Sequence, residues 1–344
     1  MVTGPWTGDD STARSEGALP PVDPSHLVEL GDSEGAFDAL AALPLHARTT
    51  EAPNLEAAGI DVATTSEVLR VINTEDLSVP LAVGRALPEI ERAVDAIVAA
   101  WAQGGRLLYF GAGTSGRLGV LDASECPPTF GVPSTMVVGT IAGGDEALRN
   151  SVEGAEDLLA GGASDVAVRC VGDRDVVVGI AASGATPYVI GAVREARARG
   201  AGTVGICCNA GAPLSREVDV AIEVVVGPEV VAGSSRLKAG TAQKLVLNML
   251  TTAAMVRSGK TYGNLMVDVL PTNAKLRARA LRLVAQVGAV DDASAARLLE
   301  ASGQRVKPAI VMARTGVSAA DADARLQAAG GVLRRALGEV SAQE

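Results

Sequence analysis

The chain has 344 residues, a formal net charge of -10 and an isoelectric point near 4.9. This length accommodates one large α/β domain with a smaller module. The negative charge disfavours nucleic acid and anionic membranes as partners, so an anionic ligand must be held by local groups. Hydrophobic residues make up 48% of the chain and aromatic residues only 2%. That composition is typical of parallel sheets covered by helices.

The first 46 residues are rich in Gly, Pro, Ser, Asp and Ala without steady periodicity, which predicts a poorly ordered extension. It contains both histidines, His26 and His46, so we expect no histidine chemistry in the main body. The N-terminal residues lack the basic and apolar regions of a signal peptide, and no run reads as a membrane span. The four cysteines show no CxxC spacing, which favours reduced, buried thiols. We expect a cytoplasmic protein.

Short apolar runs alternate with Gly/Ser-rich loops and helical patterns from residue 65 onward. This alternation predicts an α/β fold with a five-stranded, parallel, doubly wound sheet, which is an α/β/α sandwich. In such sheets, ligands bind at the carboxyl ends of the strands. The predicted strands cover residues 106–110, 135–140, 175–181, 202–207 and 220–226.

The chain after the last predicted strand divides into two parts. Residues 239–256 are apolar nearly all round, which predicts a buried helix or one covered by a partner subunit, so we expect a homodimer. Residues 275–338 are charged and amphipathic, with Asp291 or Asp292 and Ser318 or Asp321 as helix starts. The predicted domains are therefore the extension 1–46, a ligand-binding domain 47–274 and a C-terminal helical module 275–344.

A glycine-rich loop follows the first predicted strand, with the sequence GAGTSGR over residues 111–117. Its GxGxxG spacing is shared with dinucleotide-binding domains. Against that interpretation, no acidic residue stands at a strand end about 20 residues later, where it would bind a ribose. Thr114 and Ser115 instead add hydroxyls at a helix N-terminus, which suits a phosphate. The motif alone is compatible with a phosphate site, with a dinucleotide site and with a simple tight turn.

Two more loops carry hydroxyl groups. Ser183 and Thr186 follow the third predicted strand, and Ser234, Ser235 and Lys238 follow the fifth. Because the carboxyl ends of neighbouring parallel strands lie together, Ser115, Ser183 and Thr186 are expected to contact one phosphate. Ser234, Ser235 and Lys238 are expected to line the same pocket, although the third segment is also compatible with a capped helix whose charges are solvated.

At this point the sequence resembles a known family. The paired Ser/Thr loops are similar to those of sugar isomerase (SIS) domains, and residues 111–131 resemble the N-acetylmuramic acid 6-phosphate etherases. Three further segments carry the resemblance in the same order, and the match extends over most of residues 50–338. These segments are IAGGDEALRNSVEGAED over 141–157, GIAASGATPY over 179–188 and EVVAGSSRLKAGTAQKLVLNML over 229–250.

The resemblance implies cleavage of the D-lactyl ether of N-acetylmuramic acid 6-phosphate to N-acetylglucosamine 6-phosphate and D-lactate, in the salvage of cell-wall sugars. It also implies that two glutamates transfer protons, and they fall on Glu125 and Glu156. Spacing alone does not distinguish them from the acidic residues nearby, which are Asp122, Asp145, Glu146, Glu153 and Asp157.

Elimination is the chemically simplest way to break an ether at C3 of an open-chain aldose. The C1 aldehyde acidifies the proton at C2, lactate leaves from C3, and water then adds to the double bond. One acid and one base suffice, so no cofactor or metal is expected. An acid near neutral pH needs a raised pKa, from burial or from a second carboxylate nearby, and Glu125, next to Cys126, Pro127 and Pro128, is the better candidate. We therefore expect Glu125 to be the acid and Glu156 the base.

Two other functions remain open from the sequence. An aldose–ketose isomerase with an SIS domain also uses a glutamate at C2 but keeps the C3 substituent. A regulator that binds sugar phosphates without converting them has a similar fold. The presence of both Glu125 and Glu156 favours catalysis.

Overall fold

The computed structural model describes residues 49–269, 271 and 273–339. The predicted N-terminal extension, with both histidines, and Thr272 lie outside the described residues. Five parallel strands form one sheet in the order β2-β1-β3-β4-β5. This confirms the predicted sheet, and each strand lies within two or three residues of its predicted limits. The strands are β1 (Leu107–Gly111), β2 (Val137–Ile141), β3 (Val176–Ile180), β4 (Gly202–Cys207) and β5 (Val220–Glu223).

Helices precede the sheet and connect its strands, because successive parallel strands must be joined by a crossover. Thr64 caps the first helix through a reciprocal hydrogen-bond pair with Glu67. The helices up to the last strand are α1 (Thr65–Asp76), α2 (Ser78–Arg85), α3 (Leu87–Ala102), α4 (Gly113–Phe130), α5 (Leu159–Val168), α6 (Pro187–Ala198) and α7 (Pro213–Arg216). The segment before α5 also contains the short turns Asp145–Leu148 and Ala155–Asp157.

Two hydrophobic layers enclose the sheet, because successive strand residues point to opposite faces. Leu107 and Tyr109 pack with α2, α3, α4 and the later helix α8 (Lys238–Arg257). Leu108 and Phe110 pack with α5 and α6 on the other face. The result is the predicted α/β/α sandwich, which brings the ends of β1 and β3 next to each other in register.

A third hydrophobic cluster belongs to the C-terminal region and includes Val267, Leu283, Ile310 and Leu333. Asp291 and Ser318 cap two of its helices, as predicted. A small hairpin, β6 (Thr261–Tyr262) with β7 (Leu265–Met266), precedes it and was not predicted. The helices are α9 (Ala274–Gly288), α10 (Asp292–Ala301), α11 (Val306–Thr315), α12 (Ala319–Ala328) and α13 (Leu333–Ala336). The domain limits themselves remain predictions.

Helix α8 buries one face against the sheet and its neighbouring helices, whereas Lys244, Asn248 and Val256 lie on an exposed face. The single chain therefore does not bury α8 all round, and the alternative that a partner subunit covers it stays a prediction. One expectation about burial is wrong. Cys170 is exposed, whereas the other three cysteines are buried, and all four are free thiols.

Candidate active site

A cleft of about 510 Å³ opens at the carboxyl ends of β1 and β3. We call it the main cleft. Its lining comes from the three hydroxyl-bearing loops and from the segment of Glu156, so these four predicted segments line one cleft. Its lining includes Thr50, Glu51, Thr114, Ser115, Glu156, Asp157, Ser183, Thr186 and Ser235.

The first wall of the main cleft is the turn from β1 into α4. An added Cβ at Gly116 would lie 2.6 Å from Cγ1 of Ile141 and 2.7 Å from the carbonyl oxygen of Gly111, so only glycine fits there. Gly113 adopts a φ of +53°, which favours glycine. Ala112 occupies the N-cap position and offers no side-chain cap to α4. The first backbone N–H groups of this helix are therefore suited to bind an anion beside the Thr114 and Ser115 hydroxyls.

The second wall is the turn from β3 into α6. Gly184 has a φ of +67°, and a Cβ there would lie 2.4 Å from Cβ of Ala212. This tight turn places Ser183 at the cleft, where its Oγ accepts a hydrogen bond from the N–H of Ala185 at 3.2 Å. Thr186 is the N-cap of α6, but its hydroxyl makes no capping hydrogen bond within the described chain. Both hydroxyls can therefore donate to a ligand.

The third predicted segment contributes less than expected. Ser235 lines the main cleft, whereas Ser234 and Lys238 do not. Lys238 is buried and pairs with Glu75 of α1, and this hydrogen bond lowers the pKa of Glu75. Glu229 accepts hydrogen bonds from the N–H groups of Lys238 and Ala239 at 2.9 and 3.0 Å. The N-terminus of α8 is therefore already occupied by a carboxylate, and the expectation that Lys238 lines the pocket is wrong.

Glu156 lies in the turn Ala155–Asp157, where its carboxyl group is exposed at the edge of the main cleft. The turn follows Gly154, which has a φ of +73°. Glu156 also lines a second, smaller cavity of about 210 Å³, which we call the side cavity. Ala112, Gly113 and Glu156 line both spaces, so Glu156 stands where they meet. Arg117 and Asn150 line the side cavity alone.

Glu125 lies on a different part of the molecule from Glu156. It is on α4, ten residues after Ser115, which corresponds to about 15 Å along the helix axis. Glu125 is exposed and lines neither cavity of its own chain. The expected burial of Glu125 is therefore wrong: its neighbour Cys126 faces the core, and consecutive helical residues point about 100° apart. Its role as an acid stays a prediction.

Several residues near the site were not predicted from the sequence. The hydroxyl of Ser115 donates to Oε1 of Gln243 at 2.9 Å, and both side chains are buried. Asn209 donates from Nδ2 to Oγ1 of Thr50 at 3.2 Å and to the carbonyl oxygen of Ser183 at 3.3 Å. These pairs join residues 128, 159 and 26 positions apart. No local sequence signal could have identified them.

A buried carboxyl group supports helix α4 behind the cleft. Asp122 accepts hydrogen bonds from Oη of Tyr109 at 2.9 Å and from Oγ1 of Thr251 at 3.1 Å. Burial raises the pKa of Asp122 to about 6, although both hydrogen bonds act in the opposite direction. Asp122 therefore ties β1, α4 and α8 together.

A larger cavity, of about 800 Å³, lies along the edge strand β2. None of the predicted site residues, all of which the structure describes, lines this cavity. We therefore take the main cleft, where the hydroxyl loops and Glu156 meet, as the candidate active site. No helix within the described ranges is long and apolar enough to cross a membrane.

Several curated proteins are similar to this chain over most of its length. N-acetylmuramic acid 6-phosphate etherase from Edwardsiella ictaluri is 53% identical over 298 residues, which is 87% of this chain and 99% of that protein. The proteins of the same name from Rhizobium rhizogenes and a Geobacillus species are 55% and 53% identical, over 84% of this chain and 94% and 98% of theirs. The chain belongs to the N-acetylmuramic acid 6-phosphate etherase family. The resemblance predicted from the sequence is confirmed.

Two family models match parts of the chain, and several solved structures are similar to it. Residues 89–197 match the glucokinase regulatory protein N-terminal SIS domain, and residues 159–253 match the SIS domain. A phosphoheptose isomerase from Francisella tularensis superposes with a TM-score of 0.43 at 22% identity, covering 56% of this chain and all (100%) of that one. The Vibrio vulnificus NanR protein complexed with ManNAc-6P superposes with a TM-score of 0.41 at 14% identity, covering 59% and 67%.

Proposed function

We propose that this chain is a carbon–oxygen lyase that cleaves the D-lactyl ether of N-acetylmuramic acid 6-phosphate. The products are N-acetylglucosamine 6-phosphate and D-lactate, and the reaction serves the salvage of cell-wall amino sugars. Relatives more than half identical over most of the chain carry the name of this activity. The observation that carries the proposal is the convergence of two hydroxyl-bearing loops and Glu156 on one cleft.

The phosphate is proposed to bind between the turns that begin α4 and α6. Thr114, Ser115, Ser183 and Thr186 supply hydroxyls there, and the first turn of α4 supplies backbone N–H groups. These donors are neutral, and the positive end of the helix dipole adds a favourable field for the anion. Ser235 would contact the sugar from the opposite wall of the cleft.

Glu156 is proposed as the base that removes the C2 proton of the open-chain sugar. It stands at the edge of the cleft that contains the phosphate loops. Elimination then expels lactate from C3, with an acid protonating the ether oxygen as the bond breaks. In the second step water adds at C3 and gives a proton to the conjugate base of the acid, while the protonated base, whose proton has exchanged with solvent, delivers a proton to C2. Each step needs only one proton donor and one acceptor.

We propose a homodimer in which Glu125 of the partner subunit supplies that acid. Glu125 lies outside the cleft of its own chain, beside the exposed Leu121 on α4. Another five apolar side chains in the region before α3 are 62–85% exposed, and helix α1 has no buried residue. A second subunit covering these surfaces would bury apolar area and bring Glu125 out of bulk solvent. The exposed apolar residues are Leu55, Val62, Leu69, Leu77 and Leu81.

A cytoplasmic location is proposed for the same enzyme. Four free cysteines, three of them buried, suit a reducing compartment. Phosphorylated sugars do not cross membranes unaided, so an enzyme that acts on one is expected where the sugar is phosphorylated.

The function is tested by measuring D-lactate release from N-acetylmuramic acid 6-phosphate by the purified full chain without added metal. The reaction in heavy water should place deuterium at C2 of the product. Absence of lactate would refute the etherase function and leave the isomerase or the binding regulator. Lactate without deuterium at C2 would refute elimination. Glu156→Gln should abolish release while the phosphosugar still binds, whereas Glu146→Gln, an exposed acid of the same segment that lines neither cavity, should keep full activity.

A further inference from the structure

The proposed substrate carries two anionic groups, a phosphate at C6 and the carboxylate of the lactyl group. The residues that line the main cleft include no lysine or arginine in the described chain, and three of them are acidic: Glu51, Glu156 and Asp157. The phosphate can be held by hydroxyl and backbone N–H donors. The carboxylate needs a separate partner, because acidic side chains would repel it.

Arg117 is the only cationic side chain among the described residues that line the two cavities. It lies on α4, one residue after the glycine-rich turn, and faces the side cavity. Its Nε donates to the carbonyl oxygen of Leu148 at 3.1 Å and its Nη2 donates to that of Asn150 at 3.0 Å. These two bonds hold the guanidinium plane in place against the segment that leads to Glu156.

The positive charge of Arg117 has no carboxylate partner in the described part of the chain, unlike the guanidinium groups of Arg106 or Arg305. A guanidinium has five N–H donors, and the two bonds to carbonyl oxygens leave Nη1 free to donate. An arginine that is fixed, charged and incompletely bonded at a cavity wall is suited to bind a carboxylate. The side cavity, at about 210 Å³, has room for a three-carbon acid.

The order of groups along the two cavities matches the order of groups along the sugar. Of the two cavities, the hydroxyl residues of the phosphate loops line only the main cleft, Arg117 lines only the side cavity, and Glu156 lines both. In the open-chain substrate, C2 and C3 likewise lie between the C6 phosphate and the lactyl carboxylate. A substrate bound with its phosphate at Ser115 and its lactyl group in the side cavity would therefore present C2 to Glu156.

We propose that the side cavity is the lactyl subsite and that Arg117 binds the lactyl carboxylate, which makes Arg117 the residue that distinguishes the ether substrate from its product sugar. This inference rests on the proposed function of the main cleft and extends it. It assigns Arg117 to binding and specificity and gives it no part in proton transfer.

The test measures equilibrium binding, so that turnover does not interfere, in full-length Glu156→Gln protein. Three probes are compared: N-acetylmuramic acid 6-phosphate, its lactyl carboxamide, and N-acetylglucosamine 6-phosphate. With Arg117 present, the carboxylate should bind about tenfold or more tighter than the carboxamide, because a charge-assisted hydrogen bond is lost in the amide. In Arg117→Met that ratio should fall to about one, while the affinity for N-acetylglucosamine 6-phosphate changes less than about twofold.

The matched control is Arg174→Met, since Arg174 is an exposed arginine that also donates to a carbonyl oxygen, that of Gln103. It should leave all three affinities unchanged. A carboxylate-to-carboxamide ratio that stays the same in Arg117→Met overturns the proposal. So does an equal loss for all three probes, because Arg117 would then act only by holding the segment of Leu148 and Asn150. Lactate release by the unmodified protein tests the proposed function separately.

Discussion

Ser115 and Gln243 form a buried hydrogen-bonded pair between the phosphate loop and helix α8, with Oγ donating to Oε1 at 2.9 Å. In this orientation Nε2 of Gln243 has no partner among the described residues. Rotating the amide by 180° would let Nε2 donate to Oγ and free the Ser115 hydroxyl to donate to a phosphate oxygen. A neutral amide is therefore suited to both the empty and the occupied cleft.

The first prediction concerns this amide. In Gln243→Glu the new carboxylate can only accept hydrogen bonds, so the Ser115 hydroxyl must keep donating to it and is not released to a phosphate. The substitution also adds a negative charge behind the phosphate site. We expect about tenfold weaker binding of N-acetylglucosamine 6-phosphate, measured by calorimetry. Asn248→Asp makes the same chemical change on the exposed face of α8 and should not alter affinity. Equal affinities for Gln243→Glu and the unmodified protein would show that the pair does not support the phosphate site.

The second prediction tests whether the two glutamates come from different subunits. Glu125→Gln and Glu156→Gln should each be inactive alone. In a shared site, a mixed dimer has one cleft with both glutamates and one with neither, so an equilibrated equal mixture should recover about a quarter of the unmodified activity. Lactate release is measured before and after subunit exchange. Recovery near zero, with exchange verified by mass spectrometry, would place both glutamates within one chain or remove Glu125 from the reaction.

The third prediction follows from the raised pKa of Asp122. Because burial raises this pKa from 3.8 to about 6, the folded state binds the proton more tightly than the unfolded state. Protonated Asp122 therefore adds up to about 3 kcal/mol to the free energy of unfolding below pH 4. This contribution is lost as the pH rises to about 6. Asp122→Asn should remove this component of the pH dependence. Urea unfolding at a series of pH values measures it, and parallel curves for the two proteins would contradict the assignment.

The fourth prediction compares two glycine substitutions. Gly116→Ala places a Cβ 2.6 Å from Ile141, where β2 and α4 are in close contact, and should destabilise the fold by about 1–3 kcal/mol. It should also weaken phosphosugar binding, because the loop must move. Gly84→Ala, in the exposed part of α2 with no atom within 4 Å, should be neutral or stabilise by up to about 1 kcal/mol. Thermal unfolding of both variants is the measurement, and similar melting temperatures would contradict the close-packing argument.

The parts of the structure that were predictable depend on local patterns. Five apolar runs separated by helical segments specified the parallel sheet, and hydroxyl residues directly after β1 and β3 had to meet because adjacent parallel strands end at the same edge. The environment of Glu125 was not predictable from its neighbours Pro127 and Pro128, since α4 continues through both prolines and turns Glu125 outward. The position of Lys238 was predicted wrongly for a different reason. Its partner Glu75 is 163 residues away, and no local pattern indicates such a pairing.

The position of Glu156 between two cavities has a consequence for the second half of the proposed reaction. When lactate departs, the side cavity of about 210 Å³ is left beside the carboxyl group that has just taken the C2 proton. At about 30 Å³ per molecule, that space admits several waters while the phosphosugar is still bound through its phosphate to the hydroxyl groups of the main cleft. The cavity that lactate leaves can therefore fill with the water that reacts in the next step, on the face of the sugar where this water must add.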